Sequence, residues 1–240
     1  MNLQGKTILL TGGTDGIGLR LARQLRGKGA VLIVTGRTPE RIAAAQTEGF
    51  EVIAADLAGP DGVEAVIAGL AGRPIDILVN NAGMGADHDF RMALPREEDD
   101  ERTLWLNVHA PIRLIGRLME TLRARPEAMI VNVTSGLAIA PNAGSPLYCA
   151  TKAALRSYTM ALRAQLKGTG IHVLEALPPL VDTAMTAGRG SNKLAPEECA
   201  RQIVAAMEGG KDEANVGMVK VLRAVYSFSP ALARSIMLRF

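Results

Sequence analysis

A glycine-rich stretch near the start of the chain has the residue types and spacing to bind phosphate groups. Gly12, Gly16 and Gly18 stand between a β-branched run and an amphipathic stretch, so the turn joins a strand to a helix. Gly12 permits a sharp turn, Gly16 lets the backbone approach an anion, and Gly18 lets the helix pack closely. Backbone N–H groups and the helix dipole then attract negative charge. The pattern predicts a pyrophosphate site, and therefore a dinucleotide cofactor.

The end of the second predicted strand indicates which dinucleotide is bound. Enzymes for NAD usually place Asp or Glu at this position to accept hydrogen bonds from the adenosine ribose. Here Gly36 is followed by Arg37, and a guanidinium suits the 2′-phosphate of NADP. Asp15 argues the other way, because a carboxylate within the glycine turn does not help to hold a phosphate. We expect NADP(H) to be preferred, with NAD(H) as the alternative.

The periodicity of the chain predicts the sheet that positions these residues. Short β-branched runs alternate with longer amphipathic stretches, and the runs lack the alternation of half-exposed strands. This pattern predicts a doubly wound α/β domain with a parallel sheet. Strands are expected at Thr7–Leu10, Val31–Val34, Val52–Ala55, Ile75–Val79, Met129–Val133 and Ile171–Leu174, and helices at Ile17–Gly27, Pro39–Glu48, Gly62–Leu70, Glu97–Arg123, Leu147–Lys167 and Pro196–Met207.

The last quarter of the chain departs from this rhythm. We expect one dinucleotide-binding domain over residues 1–222, with a Gly- and Ser-containing lid at about residues 178–195. A strand is expected from Val216, and a helical tail over residues 223–240 that docks on the body or on a partner subunit. The alternative for the tail is weak contact with a membrane surface. The side chains considered for that contact are Phe228, Ile236, Met237, Leu238 and Phe240.

Composition excludes several classes of protein. Only 3% of residues are aromatic, and the net charge of +3 comes from 27 basic and 24 acidic residues, which argues against nucleic-acid binding. The two cysteines give neither metal-ligand spacing nor a disulfide framework. No apolar run approaches the ~20 residues that a spanning helix needs. We expect a soluble cytoplasmic protein without a metal site.

Five further motifs follow the glycine turn in order. They are Asp56-Leu57, Asn80-Asn81-Ala82-Gly83, Asn107, Ser135 and Tyr148-x3-Lys152. In order and spacing they resemble the classical short-chain dehydrogenases/reductases over roughly residues 3–183, and residues 134–138 and 178–181 resemble an atypical branch often labelled DltE-like. The resemblance implies a single Rossmann-type domain of about seven parallel strands. It also implies an oxidoreductase that interconverts an alcohol and a carbonyl.

The resemblance assigns catalytic roles to Asn107, Ser135, Tyr148 and Lys152. Tyr148 would exchange the proton with the substrate oxygen if its pKa fell from ~10 toward neutrality. Lys152, one helical turn away, would favour the phenolate and hold the nicotinamide ribose. Ser135 would hold the substrate oxygen, and Asn107 would anchor a water that links Lys152 to solvent.

The expected cofactor contacts extend along most of the chain. They are Gly12, Thr14, Asp15, Gly16, Ile17, Gly18, Arg37, Asp56, Leu57, Asn81, Ala82, Gly83, Tyr148, Lys152, Pro178, Val181 and Thr183. The substrate is expected to be a small-molecule carbonyl or alcohol of apolar or mildly polar character, bordered by Met84, Leu137, Ala138, Asn142, Leu180 and Met185. A homodimer is expected through helices 97–123 and 147–167.

Other functions remain open on the sequence alone. An NAD-linked alcohol dehydrogenase would have the same fold and the same Tyr148 and Lys152. A non-catalytic, NADP-sensing binding protein is a third possibility, although such proteins usually lose the tyrosine or the lysine, and both are present.

Overall fold

Seven parallel strands form one sheet in the computed structural model, which describes residues 1–239. The strands lie side by side in the order β3-β2-β1-β4-β5-β6-β7. Their bounds are β1 (Thr7–Leu10), β2 (Val31–Gly36), β3 (Glu51–Ala54), β4 (Ile77–Asn80), β5 (Ala128–Val133), β6 (Ile171–Leu177) and β7 (Glu213–Asn215).

Helices cover both faces of the sheet. They are α1 (Gly16–Gly27), α2 (Pro39–Thr47), α3 (Pro60–Leu70), α4 (Glu97–Leu104), α5 (Ala110–Arg123), α6 (Pro146–Gln165), α7 (Pro196–Glu208), α8 (Val219–Phe228) and α9 (Pro230–Met237). Buried side chains of α1 and α7 share one core layer, and those of α3, α5 and α6 share the other. The predicted doubly wound, Rossmann-type fold is therefore confirmed.

The strand sequences explain why both layers form. Successive side chains of a strand point to opposite faces of its sheet, and in β1 Ile8 and Leu10 join one core layer whereas Leu9 joins the other. In β4, Ile77 and Leu78 divide between the two layers in the same way. Because both faces are covered, successive residues such as Ile8, Leu9 and Leu10 are all apolar, which is the continuous pattern seen in the sequence.

The helix predicted over 97–123 is interrupted. Its helical path continues from α4 to α5, but Trp105–His109 form a wider π-helical turn between them. Such turns carry the backbone hydrogen bonds one residue further along the chain and often occur at functional sites. Asn107 lies within this turn, so the interruption concerns a predicted catalytic residue directly.

The C-terminal segment differs from its prediction. The strand expected from Val216 is wrong: the last strand, β7, ends at Asn215, and α8 begins at Val219. Helices α8 and α9 follow, and the domain boundary expected at residue 223 falls inside α8. Phe240, one of the side chains considered for membrane contact, lies outside the described residues. Of the helices within residues 1–239, none combines the length and apolar character needed to cross a bilayer.

A buried ion-pair chain ties the last strands to the helices beside them. Glu175 of β6 is fully buried and pairs with Arg156 of α6 at 2.5 Å. Arg156 also pairs with Glu213 at 3.0 Å, and Glu213 lies 3.4 Å from Arg223 of α8. Because a buried charge is costly without a partner, this chain favours one placement of β7 and α8 against α6. Glu175 also accepts a hydrogen bond at 2.7 Å from Thr134, the residue before Ser135.

Candidate active site

A cleft of about 430 Å³ opens at the carboxyl ends of the strands. It lies where β1 and β4 are neighbours, the point at which the strand order reverses and where open α/β sheets commonly bind ligands. All seventeen side chains and backbone positions expected to contact the cofactor line this one cleft. The residues concerned are Gly12, Thr14, Asp15, Gly16, Ile17, Gly18, Arg37, Asp56, Leu57, Asn81, Ala82, Gly83, Tyr148, Lys152, Pro178, Val181 and Thr183.

The glycine turn is shaped by close contacts that exclude side chains. A Cβ atom on Gly18 would lie 2.0 Å from the Gly12 carbonyl oxygen and 2.5 Å from the Asn81 amide nitrogen. Gly16 has a φ of +51°, in the left-handed region that glycine adopts most readily. Asn81 donates to the Thr11 and Gly12 carbonyls at 3.0 and 3.2 Å, which ties the end of β4 to the turn. The result is a tightly packed backbone cradle that lines the cleft at the start of α1.

Two arginines follow β2, one directly after the strand and one in α2. Arg41 in α2 pairs with Asp15 at 2.6 Å, and Arg37 lies 3.7 Å from Asp56. Both guanidinium groups and both carboxylates line the cleft. Arg41 thus balances the negative charge of Asp15, the residue that argued for NAD in the sequence. Arg41 was missed because its role depends on α2 folding back over the glycine turn.

The carboxyl group of Asp56 is ionised in this setting. Partial burial raises its pKa, but hydrogen bonds from Arg102 and the Ala58 amide, together with the charge of Arg37, outweigh that effect. The pKa therefore lies below its usual range. Arg102, which pairs with Asp56 at 2.8 Å, brings α4 to the edge of the cleft.

Tyr148 and Lys152 lie on one face of α6, one turn apart, and both line the cleft. The Lys152 ammonium is buried, donates to the Val133 carbonyl at 3.0 Å, and lies 5.7 Å from the centre of the Tyr148 ring. Pro146 begins the helix, since its fixed φ suits a first turn that needs no N–H donor. The helix therefore holds the phenol and the ammonium at the same edge of the sheet.

Burial shifts the pKa of both groups. The expected fall of the Tyr148 pKa toward neutrality is not found: removal of its hydroxyl from water raises the pKa to about 12, although a hydrogen bond with Ser135 acts in the opposite direction. Burial lowers the pKa of the Lys152 ammonium to about 8. At neutral pH the protein therefore presents a protonated phenol beside a protonated ammonium.

Ser135 follows β5 and begins a short 3₁₀ turn over Gly136–Ala138. Its hydroxyl oxygen accepts a hydrogen bond from the Leu137 N–H at 3.1 Å. That contact caps the start of the 3₁₀ turn. The hydroxyl hydrogen remains able to donate, and Ser135 lies close enough to Tyr148 to form a hydrogen bond with it.

Asn107 does not line the cleft itself but supports its floor. Its amide donates to the Met84 carbonyl at 2.9 Å and accepts from the Met84 N–H at 3.0 Å, which fixes the strand-like segment after β4. It also donates to Thr151 of α6 at 3.1 Å. Gly83 lies between Asn107 and Lys152. A Cβ atom on Gly83 would lie 3.3 Å from the side-chain oxygen of Asn107 and 3.4 Å from Lys152 Nζ.

A second and larger cavity, of about 740 Å³, adjoins the cleft. Ser135 and Tyr148 border both spaces. Of the residues expected around the substrate, Leu137, Asn142, Leu180 and Met185 line this cavity, whereas Met84 lines the cleft. Sequence reasoning missed the contribution of α8 and α9: Ile236 and Met237, considered for membrane contact, line the cavity. Their apolar spacing was the available signal, but it did not show which surface they would cover.

An ion pair crosses the cavity from the lid. Arg189 lies in the segment predicted as a lid, which contains one short 3₁₀ turn, Ala184–Thr186. Its guanidinium is 2.5 Å from Asp87, and Asp87 also accepts a hydrogen bond from Ser145. Within residues 1–239, no group of three or more His, Cys, Asp or Glu side chains is arranged to hold a metal ion.

Comparison with known proteins agrees with this geometry. The family model for short chain dehydrogenases matches residues 6–194. The uncharacterized oxidoreductase DltE of Bacillus subtilis is 37% identical over 233 residues, which cover 93% of this chain and 92% of the relative. A short-chain dehydrogenase from Burkholderia cenocepacia, solved in complex with NADP, superposes with a TM-score of 0.88 at 25% identity and 99% coverage of both chains.

A second solved structure is similar in the same way. The short-chain dehydrogenase from Sphingobium yanoikuyae, in complex with NADPH, has a TM-score of 0.81 at 26% identity, over 95% of this chain and 94% of the other. The family model covers most of the chain, and the relative from Bacillus subtilis extends nearly its full length. The chain therefore belongs to the short-chain dehydrogenases, a family of oxidoreductases that interconvert alcohols and carbonyls.

Proposed function

We propose that this protein is an NADPH-dependent carbonyl reductase. The observation that carries the proposal is the shared border of the two cavities: Tyr148 and Ser135 line both the cleft and the larger space beside it. A carbonyl in the larger cavity can therefore reach the phenol from one side while a cofactor occupies the other. Because substrate and cofactor would be held next to each other, the reaction would not depend on their meeting by diffusion.

The cleft suits a dinucleotide. The backbone cradle at Gly12, Gly16 and Gly18 accommodates a pyrophosphate without a side-chain obstacle. Lys152, which lines the same cleft, would donate to the nicotinamide ribose. A nicotinamide bound there supplies the hydride in reduction and accepts it in oxidation. The complexes of the two solved relatives with NADP and NADPH support the same assignment.

The chain's own residues would handle the proton and the charge. Ser135 would donate a hydrogen bond to the carbonyl oxygen and hold it near the phenol. Tyr148 would then give its proton to the developing alkoxide, and Lys152 would stabilise the phenolate that remains. Asn107 would position the Met84 segment and Thr151 around this group through its three hydrogen bonds.

The pKa of Tyr148 favours reduction. With a pKa of about 12, the phenol is protonated at neutral pH and is ready to donate. Oxidation of an alcohol would require the phenolate instead, which a buried hydroxyl forms reluctantly. We therefore propose that Tyr148 acts as the proton donor when a carbonyl is reduced at neutral pH.

Raising the pH should weaken productive binding of NADPH. The value of kcat/KM for NADPH at saturating carbonyl reports ionisations of the free enzyme, and the pKa of Lys152 is lowered to about 8. Above that pH the amine loses its charge, so we expect kcat/KM for NADPH to fall about fivefold from pH 8 to pH 9 and to approach a tenfold fall per pH unit beyond. Lys152→Arg keeps its charge through this range, and its profile should stay level. Equal falls in both proteins would contradict the assignment to Lys152.

Removing either arginine beside β2 should reduce the preference for NADPH. Arg37→Ala and Arg41→Ala should each raise the Kd for NADPH about tenfold and the Kd for NADH less than threefold, because a guanidinium bonds strongly to a 2′-phosphate that NADH lacks. Titration followed by nicotinamide fluorescence measures both constants.

The matched control is Arg201→Ala. Arg201 is an exposed arginine of α7 that pairs with Glu198 and lies outside the cleft. This substitution should leave the Kd values for NADPH and NADH unchanged. If Arg37→Ala and Arg41→Ala weaken the binding of NADPH and NADH equally, the two arginines are structural. They would then not account for a preference for NADP.

We also propose that the protein forms a homodimer through α4, α5 and α6. Exposed apolar side chains occur on these helices at Leu104 and Met160, with exposures of 39% and 51%. Single exposed apolar side chains also occur on monomers, so the proposal rests on the sequence expectation for these helices.

A further inference from the structure

The cavity beside Tyr148 has the size and lining of a site for a large apolar molecule. Its volume of about 740 Å³ falls in the upper part of the range for small-molecule sites, ~300–1,000 Å³. Resting on the proposed reductase function, we propose that the substrate is a neutral, bulky and predominantly apolar aldehyde or ketone, selected by helices α8 and α9.

One wall of the cavity is made by α8 and α9. Leu222 and Val225 of α8, with Ile236 and Met237 of α9, line the cavity. On the lid side, Leu180 completes the apolar lining. A carbonyl held at one end of this space would place its substituents against these side chains, and only an apolar substituent gains from that contact.

The charged groups of the cavity cancel one another. Asp87 and Arg189 are the acidic and basic residues along its described lining, and they pair at 2.5 Å. Ser145 adds a hydrogen bond to Asp87. An anionic substrate would have to compete with the Asp87 carboxylate for Arg189, and its own negative charge would lie close to that of Asp87. A neutral substrate leaves the pair intact.

The selecting helices belong to a part of the chain that the family model does not match. That match ends at residue 194, whereas α8 begins at Val219. The cofactor cleft and the pair Tyr148 and Lys152 lie within the matched region. The chain thus combines the reductase site of the family model with a substrate wall that lies beyond it, and the hairpin of α8 and α9 determines substrate size and polarity.

A homologous series of straight-chain aldehydes tests the proposal. With NADPH saturating, we expect kcat/KM to rise from butanal through hexanal and octanal to decanal. A fully buried methylene is worth up to about fourfold, so decanal should exceed butanal by at least about 100-fold. Equal values along the series would overturn the inference while leaving the reductase function intact.

Two bulky substitutions on one helix localise the effect. Val225→Trp fills the cavity and should lower kcat/KM for decanal by at least about tenfold while that for butanal changes less than threefold. Ala224→Trp introduces the same side chain at an exposed position of α8 outside the cavity and should change neither value of kcat/KM. Unchanged Kd for NADPH verifies that both variants are folded. If both tryptophans act alike, α8 does not select the substrate.

Non-reacting ligands test the charge of the site independently of turnover. Calorimetry on the enzyme with NADPH should show decanamide binding at least about tenfold more tightly than decanoate, because the carboxylate must compete with Asp87 for Arg189. Tighter binding of decanoate would overturn the neutral-substrate inference. If decanamide binds but no aldehyde is reduced, the apolar site stands and the reductase proposal fails.

Discussion

Replacement of Tyr148 by Phe should lower kcat for carbonyl reduction by about 100-fold to 10,000-fold, the range that a general acid contributes. The change removes one hydroxyl from a side chain that borders both cavities. Without it, the developing alkoxide has no proton donor at this position, and the charge of Lys152 has no phenolate to stabilise. The Kd for NADPH should stay within twofold, because the ring and Lys152 remain. Steady-state assays and fluorescence titration measure the two quantities separately.

Tyr158→Phe is the matched control for this experiment. Tyr158 lies in the same helix, α6, and is not among the described residues that line either cavity. It packs against the core layer formed by α3, α5 and α6. Loss of its hydroxyl therefore tests the effect of the same substitution in α6 at a position away from the site. Turnover should remain within twofold of the unmodified protein. Unchanged turnover in Tyr148→Phe would remove this tyrosine from the proposed chemistry.

The parts of the site that could be predicted from sequence are those whose members lie close along the chain. The glycine turn spans seven residues, and Tyr148 and Lys152 are four apart on one helix. In both cases local geometry fixes the relation between the groups, since a helix places residues four apart on one face. The parallel sheet then collects the carboxyl ends of its strands at one edge, which brings Asn81 and Ser135 to the same cleft.

Features that depend on long-range packing were not accessible in this way. The pair of Asp87 and Arg189 joins segments about 100 residues apart, and no periodicity links them. Helix α9 could be predicted as apolar and basic, but the same pattern suits a membrane surface, a partner subunit or a substrate wall. The π turn at Trp105–His109 was missed because its residues fit a continuous helix. Its signal was Asn107, a polar residue of low helix propensity among apolar neighbours.

Substitution of Gly18 by Ala should destabilise the protein and abolish tight binding of NADPH. The new Cβ would lie 2.0 Å from the Gly12 carbonyl oxygen and 2.5 Å from the Asn81 amide nitrogen. Both atoms belong to the cradle, and the first is backbone, so relief requires the turn itself to move. Overpacking of this kind costs about 1–3 kcal/mol in the free energy of unfolding. Because the displaced backbone is the proposed pyrophosphate site, we also expect the Kd for NADPH to rise at least about 100-fold.

The same helix provides the control that separates the two effects. Gly27 ends α1, and a Cβ atom built on it meets nothing within 4 Å. Gly27→Ala should therefore stabilise the protein by up to about 1 kcal/mol, through helix propensity, with no change in the Kd for NADPH. Urea denaturation and fluorescence titration of both variants measure the free energies and the affinities. If Gly18→Ala binds NADPH as tightly as Gly27→Ala, the glycine turn does not carry the cofactor. If its affinity is lost while its stability falls by no more than about 3 kcal/mol, the protein is still folded and the loss belongs to the cradle.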